Sequence, residues 1–430
     1  MAHLSDSQRL AAGLHPPPSL IHPFAAVQAA WRFDSNPRVR LPQLAGPLIE
    51  CARADVPQAC ADWLLVVIDW SHLHFGGHDS KTDRVELAHS QDLGYDLLTA
   101  LAVGDRDGSP MAPLCLELRA GDGTHSTRAD PPIESDSPLD GLEPVMAHIE
   151  GLKLGPTPVF IIDREADSVG HYRTWDAVGR QFVVRADNNR LVRHDGQERR
   201  LNEVADLLKS RTDFTRARTV LFQGKPAEQW VAETAIVLHR PARTHRVDAT
   251  TGKAVHKNVG GVPLALRLIV SEVRDDRGKV LARWLLLTHL PDSVDAATVA
   301  LWYYWRWRIE SYHKLLKGAG QQIEDWLQET AAALLRRLLV AAMSAVIVWR
   351  LARDNSPQAA QMRDVLVRLS GRQMKRGKNA RPFTESALLA GLGVLVSMLD
   401  CLQRYSLHQL QSLAEATLPG FISNPATDDS

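Results

Sequence analysis

The chain has 430 residues, enough for more than one structural unit and a sizeable core. Apolar residues make up 45% and charged residues 23%, ordinary for a soluble globular protein. Lysine plus arginine balance aspartate plus glutamate at 50 each, so the bulk charge argues against a nucleic-acid binder and leaves that role to local charge alone. The four cysteines, Cys51, Cys60, Cys115 and Cys401, are scattered without a C-x-x-C pair, which points to a reducing cytoplasm and against structural zinc. The first ten residues lack the basic-then-apolar pattern of a secretion signal.

In chain order, residues 1–60 read as a loosely organised helical region, broken early by Pro16, Pro17 and Pro18. Trp63, Leu64, Leu65, Val66, Val67 and Ile68 form a continuous apolar run ending in Asp69, the pattern of a central strand buried on both faces. Residues 95–103 and 111–118 read as strands around a turn at Gly104 to Gly108, and 139–152 as a helix. Pro158, Val159, Phe160, Ile161 and Ile162 repeat the buried-strand pattern and again end in an aspartate, Asp163. A helix over 170–178 and a strand over 181–185 complete an α/β core at 61–187.

Residues 188–290 change texture to short alternating runs between polar turns, a β-rich insertion. Pro291, Asp292 and Ser293 offer an N-cap for one long helix carrying Tyr303 to Lys317, which Gly318 and Gly320 end. The segment 291–355 is read as the last part of the core, and 356–430 as a helical C-terminal region with a disordered end. The apolar run 338–349 is too short to span a bilayer and reads as a buried helix.

Two features carry chemistry. Between residues 296 and 381 there are 15 Lys/Arg against 6 Asp/Glu, an excess of nine positive charges suited to a polyanion or to a basic solvated surface. On the predicted helix, Tyr303, Arg306, Glu310, Lys314 and Lys317 share a face, so one acid sits among groups that bind phosphate. If the strands ending in Asp69 and Asp163 are neighbours, their carboxylates lie side by side and Glu310 can join them across the sheet edge. Three carboxylates with no histidine or thiolate favour a hard cation, Mg²⁺ or Mn²⁺. Taken singly, each aspartate is also a common turn residue, and Glu310 a partner for Arg306 or Lys314.

The combination resembles a known family. Asp163, Arg164, Glu165, Ala166 and Asp167, with Phe182 to Arg185 after them, are similar to the second-aspartate region of DDE transposases of insertion sequences. Tyr303, Arg306, Glu310 and Lys317 match every interval of the Y-R-E-K signature that defines the insertion sequence four type. Residues 284–288 resemble the strand preceding that helix, and Trp31, Arg32, Phe33 and Asn36 a short upstream element, so the resemblance covers residues 24–353. One departure is Asp69-Trp70-Ser71, where many relatives have Asp-Thr-Thr.

The resemblance implies an RNase H-like catalytic core with a β-rich insertion and flanking helical regions. It implies that Asp69, Asp163 and Glu310 are catalytic and hold two divalent ions that cleave transposon ends and join the 3′ ends to target DNA. It implies DNA-end contacts for residues 1–60, a homodimer in the synaptic complex, no membrane, and a bacterial, cytoplasmic and nucleoid-associated location. Tyr303, Arg306, Lys317, Lys314 and Arg164 are the expected DNA contacts. Trp284 is either a stacking surface for a flipped base or a core tryptophan.

Other signals stay open. His72 and His74 would share one face of a strand near His78, as a metal pair, an exposed polar face or a DNA contact. Glu165 and Asp167 either support Asp163 or begin the next helix. Arg372, Lys375, Arg376, Lys378 and Arg381 form a DNA-binding loop or a solvated linker. The rival functions are an RNase H-like nuclease without strand transfer, and an inactive DNA-binding relic.

Overall fold

The computed structural model describes residues 23–134, 137–247, 254–318, 321–372 and 382–417. The triple proline at 16–18, Gly320, the basic positions Lys375, Arg376, Lys378 and Arg381 and the last ten residues lie outside them. The chain divides into two compact units. One comprises Arg40–Lys314 and Thr330–Leu335; the other draws on Met1–Val39, Leu315–Glu329 and Arg336–Ser430.

The fold is mixed α/β. Its strands are β1 (Trp63–His74), β2 (Val85–Glu86), β3 (Leu93–Gly104), β4 (Pro110–Ala120), β5 (Gly123–Ser126), β6 (Thr157–Ile162), β7 (Gln181–Arg185) and β8 (Leu191–His194). They continue with β9 (Gln197–Arg200), β10 (Thr215–Phe222), β11 (Lys225–Leu238), β12 (Ala242–Val247), β13 (Ala254–Val259), β14 (Leu264–Arg274) and β15 (Val280–Thr288). One large sheet runs β5-β4-β3-β1-β6-β7-β15-β14-β11-β8-β9, with β2 on β3 and β10 on β11; β12 and β13 pair separately. Among the described residues, β6 pairs parallel with β1 and with β7, and the other strand pairings are antiparallel.

The apolar run before Asp69 behaves as its composition requires: Leu65 to Ile68 are fully buried, and so are Val159, Ile161 and Ile162 of β6. Burying those stretches on both faces is the main local driving force, and it selects the parallel centre of the sheet for them. Asp105, in the β3–β4 turn, accepts the backbone N–H groups of Ala61, Asp62 and Trp63 at 2.7, 3.2 and 3.0 Å and so sets where β1 begins.

Helix α1 (Pro23–Ser35) is followed by α2 (Leu41–Ala59), which buries Leu41, Ala45, Leu48, Ala52 and Val56, one stripe at helical spacing, against β3 and β4. Helix α3 (Leu142–Gly151) packs on β4 and β6, and α4 (Val169–Ala177) carries the chain from β6 to β7. Helix α5 (Leu201–Ser210) lies in the β-rich segment, and that segment adds to the sheet through β7–β15.

The expected single long helix is instead two, α6 (Ala296–Trp305) and α7 (Trp307–Lys317). They break at Arg306, where Arg306 N bonds Tyr303 O and Ile309 N bonds Arg306 O, a tightened three-residue turn. The cap also differs: Asp295, not the 291–293 segment, accepts Thr298 N at 2.6 Å. Beyond them come α8 (Ala331–Arg353), α9 (Pro357–Leu369), α10 (Glu385–Leu402) and α11 (Leu407–Thr417).

Among the described residues, two helices are long and apolar enough to cross a membrane by length and composition, α8 and α10. The apolar run at 338–349 thus belongs to a helix of 23 residues, which corrects the expectation that it is too short. What marks α8 as a core helix is burial, since 78% of its most apolar window is enclosed; for α10 the figure is 22%.

Candidate active site

Strand β1 does not end at Asp69. It continues to His74 on its antiparallel partner β3, while its parallel partner β6 stops at Ile162 opposite Ile68. Asp69 and Asp163 are therefore the next residues on adjacent parallel strands, at the point where one strand leaves the sheet. Asp163 turns the chain into a short 3₁₀ segment, accepting Arg164 N at 2.7 Å.

Arg306, delivered by the break between α6 and α7, lies between the carboxylates. Its Nη1 is 2.8 Å from Asp69 Oδ2, and its Nη2 is 3.1 Å from Asp163 Oδ2 and 3.6 Å from Glu310 Oε1. Tyr303 donates its hydroxyl to Asp163 Oδ1 at 3.2 Å, and Arg185 Nη1 at the end of β7 is 3.6 Å from the same oxygen. The Arg306 side chain is 8% exposed and that of Glu310 35%, so the guanidinium is enclosed and the glutamate only half-buried.

Burial pushes the Asp69 carboxyl up to about 6; the charges of Glu310 and Asp163 add to that and Arg306 opposes it. Burial also pushes the Tyr303 hydroxyl up, with the Asp163 charge adding, so it remains a donor at neutral pH. Three carboxylates against two guanidinium groups, Arg306 and Arg185, leave net negative charge in a half-buried site, which attracts cations.

The residues suit a metal ion by their donor chemistry. Asp69, Glu310 and His313 each offer a ligand atom, and these lie within 4.8 Å of one another. The expected absence of histidine is therefore corrected. His313 follows Glu310 by three residues on α7, a spacing that signals a shared face, while Arg185 enters only through the neighbouring of β6 and β7.

Lys314 is exposed, and Lys317 belongs to the other unit, where its Nζ is 3.5 Å from Glu324. Arg164 is 59% exposed with Asp187 at 4.0 Å. Trp284 is half-buried beside the small apolar cluster of Val220, Ala227 and Val273, its ring 6.2 Å from that of Tyr303. Asp167 is a structural residue: it accepts from Tyr172 OH, Asp187 N and Arg190 Nε at 2.7, 2.7 and 2.8 Å and ties down the turn after Asp163.

His72 and His74 face Asp96 and Asp92, at 3.6 and 2.7 Å, and His78 packs edge-on to Phe75. None of these three joins a metal-spaced group among the described residues. A second such group, Asp83, Asp122 and His125, has Asp83 already engaged by Tyr95 OH and by Ala331 N at 2.7 Å.

Two elements brace the helix break. Arg308 donates to Gly108 O at 2.8 Å, and a Cβ on Gly108 would stand 2.4 Å from the Trp305 ring. From the β-rich segment, Arg218 and Gln229 donate to the Ala297 and Ala300 carbonyls, and Tyr304 returns a bond to Leu221 O. No protein-family model matches the chain, and no curated protein matches it.

Proposed function

We propose that this chain is a DDE transposase of the Y-R-E-K type, which cleaves the ends of an insertion sequence and joins the freed 3′ ends to target DNA. The observation that carries the reading is the meeting of Asp69, Asp163 and Glu310 on one arginine, Arg306, which is 237 residues from Asp69 in sequence. In the same reading the core is RNase H-like. An antiparallel meander β4-β3-β1 joined to parallel β6 and β7, with a β-rich insertion before the helix bearing Glu310, supports that.

Mg²⁺, with Mn²⁺ as a substitute, is the proposed cofactor, held by Asp69, Asp163 and Glu310. When bound, such ions activate a water or 3′-hydroxyl and stabilise the leaving oxygen of an in-line displacement at phosphorus. The chain's own residues orient and select. Tyr303 holds Asp163 through one oxygen, while Arg306 aligns Asp69, Asp163 and Glu310. Arg185 adds positive charge on the same side of Asp163. Phosphate contacts of this kind position DNA and do not read its sequence. Two ends must be brought together, so the proposed working form is a homodimer on DNA in the bacterial cytoplasm.

The test uses DNA carrying the inverted repeats that flank the gene, with Mg²⁺ or Mn²⁺. Native chain is expected to nick the ends and join 3′-hydroxyls to a target duplex. Asp69→Asn, Asp163→Asn and Glu310→Gln should each lose cleavage while retaining end binding. Full cleavage by any one of them removes that residue from the catalytic set. Nicking without joining assigns a nuclease, and binding without cleavage by the native chain assigns a relic.

A further inference from the structure

His313 has no part in the carboxylate reading, yet it stands at the same site. The three ligand atoms of Asp69, Glu310 and His313 are mutually within 4.8 Å, whereas Asp163 is outside that group and meets the others at Arg306. The His313 residue is only 6% exposed, and its Nε2 lies 3.3 Å from Thr99 Oγ1. Thr99, fully buried, is the register partner of Asp69 across β1 and β3. The strand pair that presents Asp69 therefore also holds the imidazole, and α7 supplies His313 and Glu310 three residues apart on one face. A core histidine satisfied by a threonine explains the Thr99 contact but not its placement beside two acids.

We propose that His313 is the third ligand of a divalent cation held by Asp69 and Glu310, and that this position takes Mn²⁺ in preference to Mg²⁺. The inference rests on the metal-centre reading above and adds a nitrogen donor to it. Two carboxylates balance a divalent charge, and a neutral ring adds a donor without adding charge. Mg²⁺ is hard, keeps its waters and favours oxygen, while the less hard Mn²⁺ accepts an imidazole nitrogen beside carboxylates more readily. Thr99 acts as a positioning residue, as partners of ligating histidines do when they hold the ring in place. The two cation positions of the site would then differ, one with a nitrogen donor and one carboxylate-based at Asp163.

The experiment titrates the full-length native chain, without DNA, with Mn²⁺ and separately with Mg²⁺, and records pulsed EPR of the bound Mn²⁺. The expected result is ¹⁴N coupling on bound Mn²⁺ and tighter binding of Mn²⁺ than of Mg²⁺. His313→Gln should remove the coupling and weaken Mn²⁺ by about 10-fold or more, at least the scale seen when a ligand's supporting partner is lost, with Mg²⁺ affinity unchanged. Bound Mn²⁺ without nitrogen coupling, sensitive to Asp69→Asn and Glu310→Gln but not to His313→Gln, overturns the His313 assignment and keeps the metal centre. Failure of the native chain to bind either ion overturns both. Should His313→Gln fail to fold, the spectrum of the native chain decides alone.

Discussion

Asp69 shows how a single side chain is held against its own stability. An acid whose folded pKa is raised binds its proton more tightly folded than unfolded. Folding stability then falls as pH climbs from the ordinary aspartate value of 3.8 to about 6, and the loss persists above that. The cost at neutral pH is roughly 1–3 kcal/mol, and the side chain is buried enough that solvent screening removes little of it. Asp69→Asn cannot ionise and keeps a similar shape. In EDTA it should be more stable than the native chain by that amount near pH 7.5 and indistinguishable from it near pH 4, as read by chemical denaturation at both pH values. Equal stability at pH 7.5 would show that Arg306 already compensates the buried charge. A site that is more stable when mutated is a common sign of function overriding packing.

At the scale of elements, the α6–α7 break is the decisive feature, because it places the Arg306 guanidinium among the carboxylates. Its support comes from a turn and an insertion distant in sequence. Gly108 has φ of 69°, a left-handed conformation, and it sits directly beneath the Trp305 ring. Gly108→Ala should cost at least about 2 kcal/mol, combining backbone strain with a clash, and should lower metal-dependent cleavage as well as the melting temperature. Gly224, in the β10–β11 hairpin, has φ of 79° but open space around it. Gly224→Ala should cost only about 1 kcal/mol of strain and leave cleavage unchanged. Comparable losses of activity in both variants would mean that general stability, not the seat of the break, governs the site.

Over the whole molecule, zero net charge hides the basic excess of residues 296–381, part of which lies outside the described residues. Lys317 lies in that stretch and pairs with Glu324, so its charge is partly spent inside the protein. If it also contacts a phosphate, Lys317→Ala should reduce the slope of log K against log salt for end DNA by about one. An unchanged slope, measured by anisotropy across a salt series, assigns Lys317 to its ion pair. The β-rich insertion has a similarly wide reach. It extends the sheet through β15 and fastens α6 by donating from Arg218 and Gln229 and by accepting from Tyr304 at Leu221 O, so it acts as a brace for the helix that leads into the site.

The sequence by itself determined the central strands, because runs such as 63–68 and 158–162 are too apolar for any place but a doubly covered sheet centre. It also determined the common face of Tyr303, Arg306 and Glu310, since helical spacing survives a break of one tightened turn. Asp69 and Asp163 were readable as strand-end candidates, but their adjacency needed the pairing of β1 with β6, a contact between segments almost a hundred residues apart that no local pattern encodes. The break at Arg306, the cap at Asp295 and the nearness of His313 and Arg185 were decided only by the tertiary structure. Each depends on what packs against an element from elsewhere in the chain, and spacing along one element carries no information about its neighbours.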